Sequence, residues 1–169
     1  MKNDDKMEHN DKMNQDKMGN NYSNFMLMLG LSFTAMYITM YLNTYELDHV
    51  YFSLTRFYMS CLGIAAMAVI MLSLMLKMYT NRKKNMTIYI GSLLLFVSAL
   101  VLVRAQKPIV GDVLWMKAMI PHHSIAILTS ERAAIEDPEV KKLADDIIKA
   151  QRKEIGEMKA MIKRLESEN

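Results

Sequence analysis

Three long apolar runs, held apart from the charged residues, constrain this chain more than any other feature. They cover residues 25–42, 57–76 and 86–103, and none contains Asp, Glu, Lys, Arg or His. Each approaches the ~20 residues a helix needs to cross a hydrocarbon core. A segment buried in lipid must also satisfy its own backbone, which a lone run can do only as helix. The expectation is an all-α chain with three transmembrane helices over 25–103. The first run is followed by Asn43-Thr44-Tyr45-Glu46, with no small-residue cleavage site, so it reads as a retained anchor and not as a signal peptide.

Lysine and arginine set the expected orientation. Lys2, Lys6, Lys12 and Lys17 precede the first run, and Lys77, Arg82, Lys83 and Lys84 lie between the second and third. The first loop, 43–55, carries Glu46, Asp48 and His49 but no Lys or Arg. That places the N-terminus in the cytoplasm, and the first loop and the segment from 104 onward outside. In a bacterium this means a multi-pass protein of the inner membrane with a periplasmic C-terminal domain. Arg104 and Lys107, at the outer end of the third run, oppose the assignment. Cys61 is the single cysteine and lies inside the second run, so no disulfide framework is expected. The net charge of +3 is spread along the chain, without the dense basic patch a nucleic-acid partner requires. No nucleophile–base pair or phosphate-binding glycine loop is visible, so an enzyme is not expected.

Residues 1–24 repeat a triplet, Asp5-Lys6-Met7, Asp11-Lys12-Met13 and Asp16-Lys17-Met18, around His9. Such a segment buries too little apolar surface to fold alone and reads as a disordered tail. Its Met7 and His9 are secondary candidates for collecting a soft metal ion. Methionine recurs in the apolar runs as well. Met67, Met71, Met75 and Met78 share one helical face, and Met36 and Met40 lie four apart. This stripe resembles the methionine-lined path of Ctr-type copper transporters. The Gly-x-x-x-Gly packing signature is missing, however, with Gly91 alone in the third run. Packing explains the stripe better than conduction, because methionine fills irregular helix interfaces.

Beyond the third run, 104–111 reads as a linker broken by Pro108 and Gly111. Asp112 is positioned to cap a helix running to Glu136. Asp137-Pro138-Glu139 then supplies an N-cap, a proline at the first helical position and an acidic first turn for a second helix to Leu165. The two helices carry matching seams and a short connection, so 112–166 is an antiparallel hairpin. Counted from the turn, His123 comes level with Gln151, Ile120 with Ile155 and Met116 with Met158.

Met119-Ile120-Pro121-His122-His123 is the chemically distinctive stretch, in a chain with 18 methionines and four histidines. Imidazole with thioether suits copper, above all Cu(I), with Cu(II) as the alternative state. Met119 lies one turn before His122 and His123, and Met116 one turn earlier still. Adjacent histidines point about 100° apart on a helix. His123 is therefore expected to face Gln151 and Met158, and His122 to face Glu154, a second subunit or water. Pro121 frees the carbonyl of Lys117 and is expected to kink the helix. His49, beside Asp48 in the first loop, is a further minor candidate.

Met119, Pro121, His122 and His123, followed by Asp137-Pro138, Leu143-Ala144, Ile148, Gln151, Glu154-Ile155 and Met158, resemble the domain-of-unknown-function 305 family over residues 112–165. The resemblance implies a ferritin-like helical fold and an association with bacterial copper tolerance. It implies Met119, His122, His123 and Met158 as copper ligands, with Gln151 and Glu154 in support. Ser124 departs from the pattern, since many members carry Gln after the paired histidines. The single hairpin also departs from longer relatives that fill a four-helix bundle. A lone hairpin buries little surface, so pairing of two hairpins across subunits is expected.

The function expected from these features is a membrane-anchored copper-binding protein. It would sequester copper at the outer face or hand it to a copper-efflux or copper-chaperone partner. A methionine-lined transporter or transporter subunit, and a metal-free membrane scaffold, are the alternatives. A di-iron carboxylate bundle ranks below these because its Glu-x-x-His pairs are absent.

Overall fold

A computed structural model describes the backbone of residues 2–107 and 109–168, with side chains from Gly19 onward. Five α-helices follow in order: α1 (Lys2–Thr39), α2 (Leu54–Leu74), α3 (Arg82–Arg104), α4 (Asp112–Arg132) and α5 (Pro138–Ser167). A single 3-10 turn, Leu47–His49, lies between α1 and α2. No strand occurs among the described residues. The chain divides into two compact units, one of residues 1–36 with 59–101, the other of 37–58 with 102–169.

Two helices among the described residues, α2 and α3, are long and apolar enough to cross a membrane, where three were expected. The first run differs because α1 ends at Thr39, so Met40–Leu42 fall in a turn. The apolar stretch left in that helix is diluted by Tyr22, Ser23 and Asn24. The same helix extends backward through the tail that the sequence reading took as disordered. Lys, Met, Glu and Gln are good helix formers, and a tail joined to an existing helix needs no nucleus of its own.

In the first unit, Tyr22, Phe25, Ala68, Leu72 and Tyr79 form the buried core, with Met71 and Met75 packed against it. Met67 and Met78 lie exposed, so the methionine stripe is no continuous buried path. One end of the unit is closed by a polar network. Tyr22 donates to Asn85 Oδ1 at 2.6 Å, and Asn85 Nδ2 donates to the Tyr79 carbonyl at 2.6 Å. Met36 of α1 lies against Gly63 of α2, where a Cβ would come within 2.9 Å of its sulfur.

In the second unit, α4 and α5 form the expected antiparallel hairpin. Met116, Ile120, Ile127, Ile155, Met158 and Ile162 make its core, flanked by Val113, Met119, Ile148 and Leu165. Asp137 caps α5 by accepting from the amides of Glu139 and Val140 at 2.9 and 3.0 Å. Helix α4 departs from expectation at both ends. Gly111 occupies its N-cap without a side-chain bond, and Asp112 is the first helical residue, where its charge still favours the helix dipole. It stops at Arg132, four residues before Glu136, because Asp137 must adopt an extended conformation ahead of Pro138. The helix runs on through Pro121, which is buried. Pro108 lies outside the described residues.

The loop before α2 belongs to this same unit. Ser53 caps α2, accepting from the Arg56 amide at 3.3 Å, and donates its own amide to Tyr41 Oη. Arg56, one residue beyond the loop used to assign orientation, donates to the Met40 carbonyl and stacks 4.3 Å over the Tyr41 ring.

Ile120 is fully buried at the hairpin seam while Leu143 is 60% exposed. Ile120→Ala should therefore destabilise the hairpin by ~2–4 kcal/mol, and Leu143→Ala by less than ~0.5 kcal/mol. Denaturation of the detergent-solubilised chain checks both, and equal effects would contradict the seam.

Candidate metal centre

The hairpin gathers some of the expected ligands and separates others. Met116 and Met158 are buried in the seam and Met119 packs beside them. His123, one turn beyond Met119 on α4, is half-buried and has both ring nitrogens engaged. Its Nδ1 lies 2.9 Å from the Met119 carbonyl, and its Nε2 lies 2.7 Å from Glu154 Oε2. A backbone carbonyl at Nδ1 fixes the ring and its tautomer, an arrangement common where Nε2 binds a metal. The carboxylate occupies the direction an incoming ion would use. Glu154 is half-exposed and has room to swing aside or to share the ion.

Glu154 thus pairs with His123, where the sequence predicts Gln151 opposite His123 and offers His122 either Glu154, a second subunit or water. The cause is side-chain lean. Helical side chains tilt toward their own N-terminus, so in an antiparallel pair they tilt in opposite directions. Each residue then meets a partner further along the opposing helix than backbone register suggests. His123 with Glu154, Lys117 with Glu166 and Glu131 with Arg152 are all displaced in this sense. Gln151 is half-buried.

His122 is exposed on the outer face of α4, its ring 6.1 Å from that of His123 at 65°. It does not join the thioether cluster. The side chains of Met7 and His9 lie outside the described residues.

The next residue, Ser124, is fully buried, and sequence reasoning noted it only as a departure from Gln. Its hydroxyl accepts the Tyr45 amide at 2.7 Å and lies 3.0 Å from His49 Nδ1. His49 is buried as well, with Nε2 3.6 Å from Asp48 and 3.8 Å from Glu46. Glu46, Asp48 and His49 form the one cluster of three or more His, Cys, Asp and Glu among the described residues whose ligand atoms all lie within 4.8 Å. Glu46 was not among the expected ligands. Basic residues of α5 already answer both acids: Lys159 donates to Asp48 and Arg152 approaches Glu46 at 3.7 Å. The Arg152 guanidinium also lies over the Tyr45 ring. The loop is thereby fastened to the hairpin through contacts more than 70 residues apart in the chain, which no local spacing could signal.

Burial pushes the His49 imidazole below its ordinary range, reinforced by Lys159 and opposed by Asp48 and Glu46. The hydrogen bond from Lys159 holds the Asp48 carboxyl below the usual range. Both shifts mean that the unfolded chain binds more protons than the folded one. Stability from these groups is therefore present at neutral pH and declines with acidification. For His49 the decline begins as pH falls below ~6.5, and Asp48 adds to it in stronger acid. Hydrogen exchange at the Tyr45 amide, corrected for intrinsic rates, should lose protection between pH 7 and 5. His49→Ala should flatten that dependence, and an unchanged profile would contradict it.

Comparison with known proteins agrees with the hairpin's sequence pattern. Residues 110–169 match the model described as "Domain of unknown function (DUF305)". The chain is similar to the uncharacterized protein L153 of Acanthamoeba polyphaga mimivirus, 34% identical over 145 residues, covering 84% of this chain and 93% of that protein. That relative is viral, so a bacterial setting rests on the family resemblance alone. No solved structure matches the chain. The hairpin thus matches the DUF305 model, and the chain as a whole belongs to one family with that viral protein.

Proposed function

We propose that this protein is a membrane-anchored copper-binding protein whose helical hairpin takes up copper and holds it or passes it on. The observation that carries the proposal is the orientation of His123. Its Nδ1 is tied to the Met119 carbonyl and its Nε2 meets Glu154. Met119, one helical turn before His123, packs in the seam with Met116 and Met158. A fixed imidazole beside buried thioethers suits Cu(I). Glu154 would act as an exchangeable cover on that nitrogen or as a ligand to Cu(II). Within one chain the proposed ligands are His123, Met119 and Met158. His122 would bind only from the outer face, for example across two hairpins paired in a dimer.

The membrane part of the proposal uses three crossings. Tyr22 and Phe25 of α1 pack near Tyr79, five residues beyond the end of α2, while Met36 packs against Gly63. The apolar half of α1 therefore runs antiparallel to α2, although its composition alone falls short of a span. Tyr37, Tyr41, Phe52 and Phe57 cluster in the loop region, in keeping with an aromatic belt at an interface. The loop and the hairpin share one compact unit, which supports a common side for both. The transport alternative draws less support, because Met67 and Met78 lie exposed while Met71 and Met75 pack in the core.

The ligand set is tested with Met119→Leu, His123→Ala and Met158→Leu combined, since the leucines keep the core filled. Anaerobic Cu(I) titration should show affinity reduced by roughly a hundredfold or more, beyond what loss of a supporting contact costs. His122→Ala alone should cost less than His123→Ala. Unchanged stoichiometry and affinity in the combined variant would sink the assignment. Because only the neutral imidazole can bind a metal, affinity should also weaken on acidification. For the crossings, single cysteines at Lys12 and Ser167 in a Cys61→Ser background should label from opposite sides. Labelling from one side excludes three crossings.

A further inference from the structure

We propose that the first unit binds one anionic phospholipid, with an acyl chain in a groove between α1, α2 and α3 and its phosphate at Lys83 and Lys84. The inference rests on this unit being embedded in a membrane and is independent of copper.

An apolar cavity of about 510 Å³ opens between the three helices, lined by Gly30 of α1, Ala68 of α2 and Gly91 of α3 among others. Its emptiness is visible at the glycines, since a Cβ added at Gly30 or Gly91 would meet nothing within 4 Å. A second cavity of about 550 Å³ shares Met26, Thr87 and Ile88 with the first, so the two adjoin along α1 and α3. The second is lined by Lys83, Lys84 and Tyr22. Lys84 Nζ lies 5.0 Å from the Tyr22 ring centroid, which holds the ammonium at the mouth. Among the described residues, no Asp or Glu lines either cavity. The groove is thus basic at one end and apolar at the other.

Length selects the occupant. From Lys83 to Leu95 the groove follows twelve residues of α3, about 18 Å at 1.5 Å per residue. That is little more than half of the ~30 Å hydrocarbon core, the depth of a single leaflet. A helix from a second copy would need a groove through the whole thickness. A lipid needs one leaflet, and basic pockets beside membrane helices hold anionic headgroups. The lysines also lie on the side expected to face the cytoplasm, where anionic lipid is enriched.

The full chain, equilibrated with vesicles of equal phosphatidylglycerol and phosphatidylcholine and released into detergent, can be examined by native mass spectrometry. It should retain one phosphatidylglycerol per chain, preferred over phosphatidylcholine by roughly tenfold or more. Lys83→Gln with Lys84→Gln should bring that preference near parity. Gly91→Phe, which has open space to fill, should abolish retention while the chain stays in the membrane pellet after alkaline extraction. Equal retention of the two lipids by the wild type, or full retention by Gly91→Phe, overturns the lipid site alone. A dimer that Gly91→Phe splits assigns the groove to a second copy and likewise overturns it. Wild-type protein released by alkaline extraction overturns the embedding and the lipid site together.

Discussion

The rotation of about 100° per residue along an α-helix assigns His122, His123 and Ser124 to three different surroundings. His122 meets solvent, His123 meets α5, and Ser124 meets the loop before α2. What holds that assignment in place is the seam beneath it. Ile120 and Ile127 are fully buried against Ile155, Met158 and Ile162, so α4 cannot turn without exposing them. At ~25 cal/mol per Å² of apolar surface, such a rotation would cost far more than any hydrogen bond at His123. The chemistry of the hairpin therefore depends on the aliphatic residues that flank the histidines.

The same seam joins two distinct polar systems. On one side, His123 is bounded by a backbone carbonyl and a carboxylate. On the other, Ser124 receives the loop, and Lys159 and Arg152 of α5 complete its attachment. Exposed ion pairs contribute little individually. The contact between Ser124 and His49 is buried, so leaving either partner unsatisfied would be felt. Glu46 and Asp48 resemble a cation site by spacing alone, yet each already faces a basic side chain from α5. This makes them a fastening of the loop in the first instance.

Much of this was legible from residue order. Apolar runs marked α2 and α3, and the Asp137-Pro138-Glu139 sequence marked the start of α5 to the residue. The matching seams of α4 and α5 paired Ile120 with Ile155 and Met116 with Met158, four of the six buried residues of the hairpin core. The errors came where distance along the chain or side-chain direction mattered. Backbone register placed Gln151 opposite His123, but tilt toward the N-terminus brings Glu154 there. The first run looked like an independent span, but its helix ends early and continues into the polar tail.

By itself, then, the sequence determined the segregation of apolar from charged segments, the helical hairpin, and the separation of the two histidines. These follow from periodicity, which is a local property of a helix. Only the tertiary structure decided the partner of each histidine, the burial of Ser124, and the meeting of residues 45–49 with α4 and α5. Those contacts join residues 31 to 111 positions apart. They arise from how packed helices orient side chains across a shared seam, for which one helix alone carries no record.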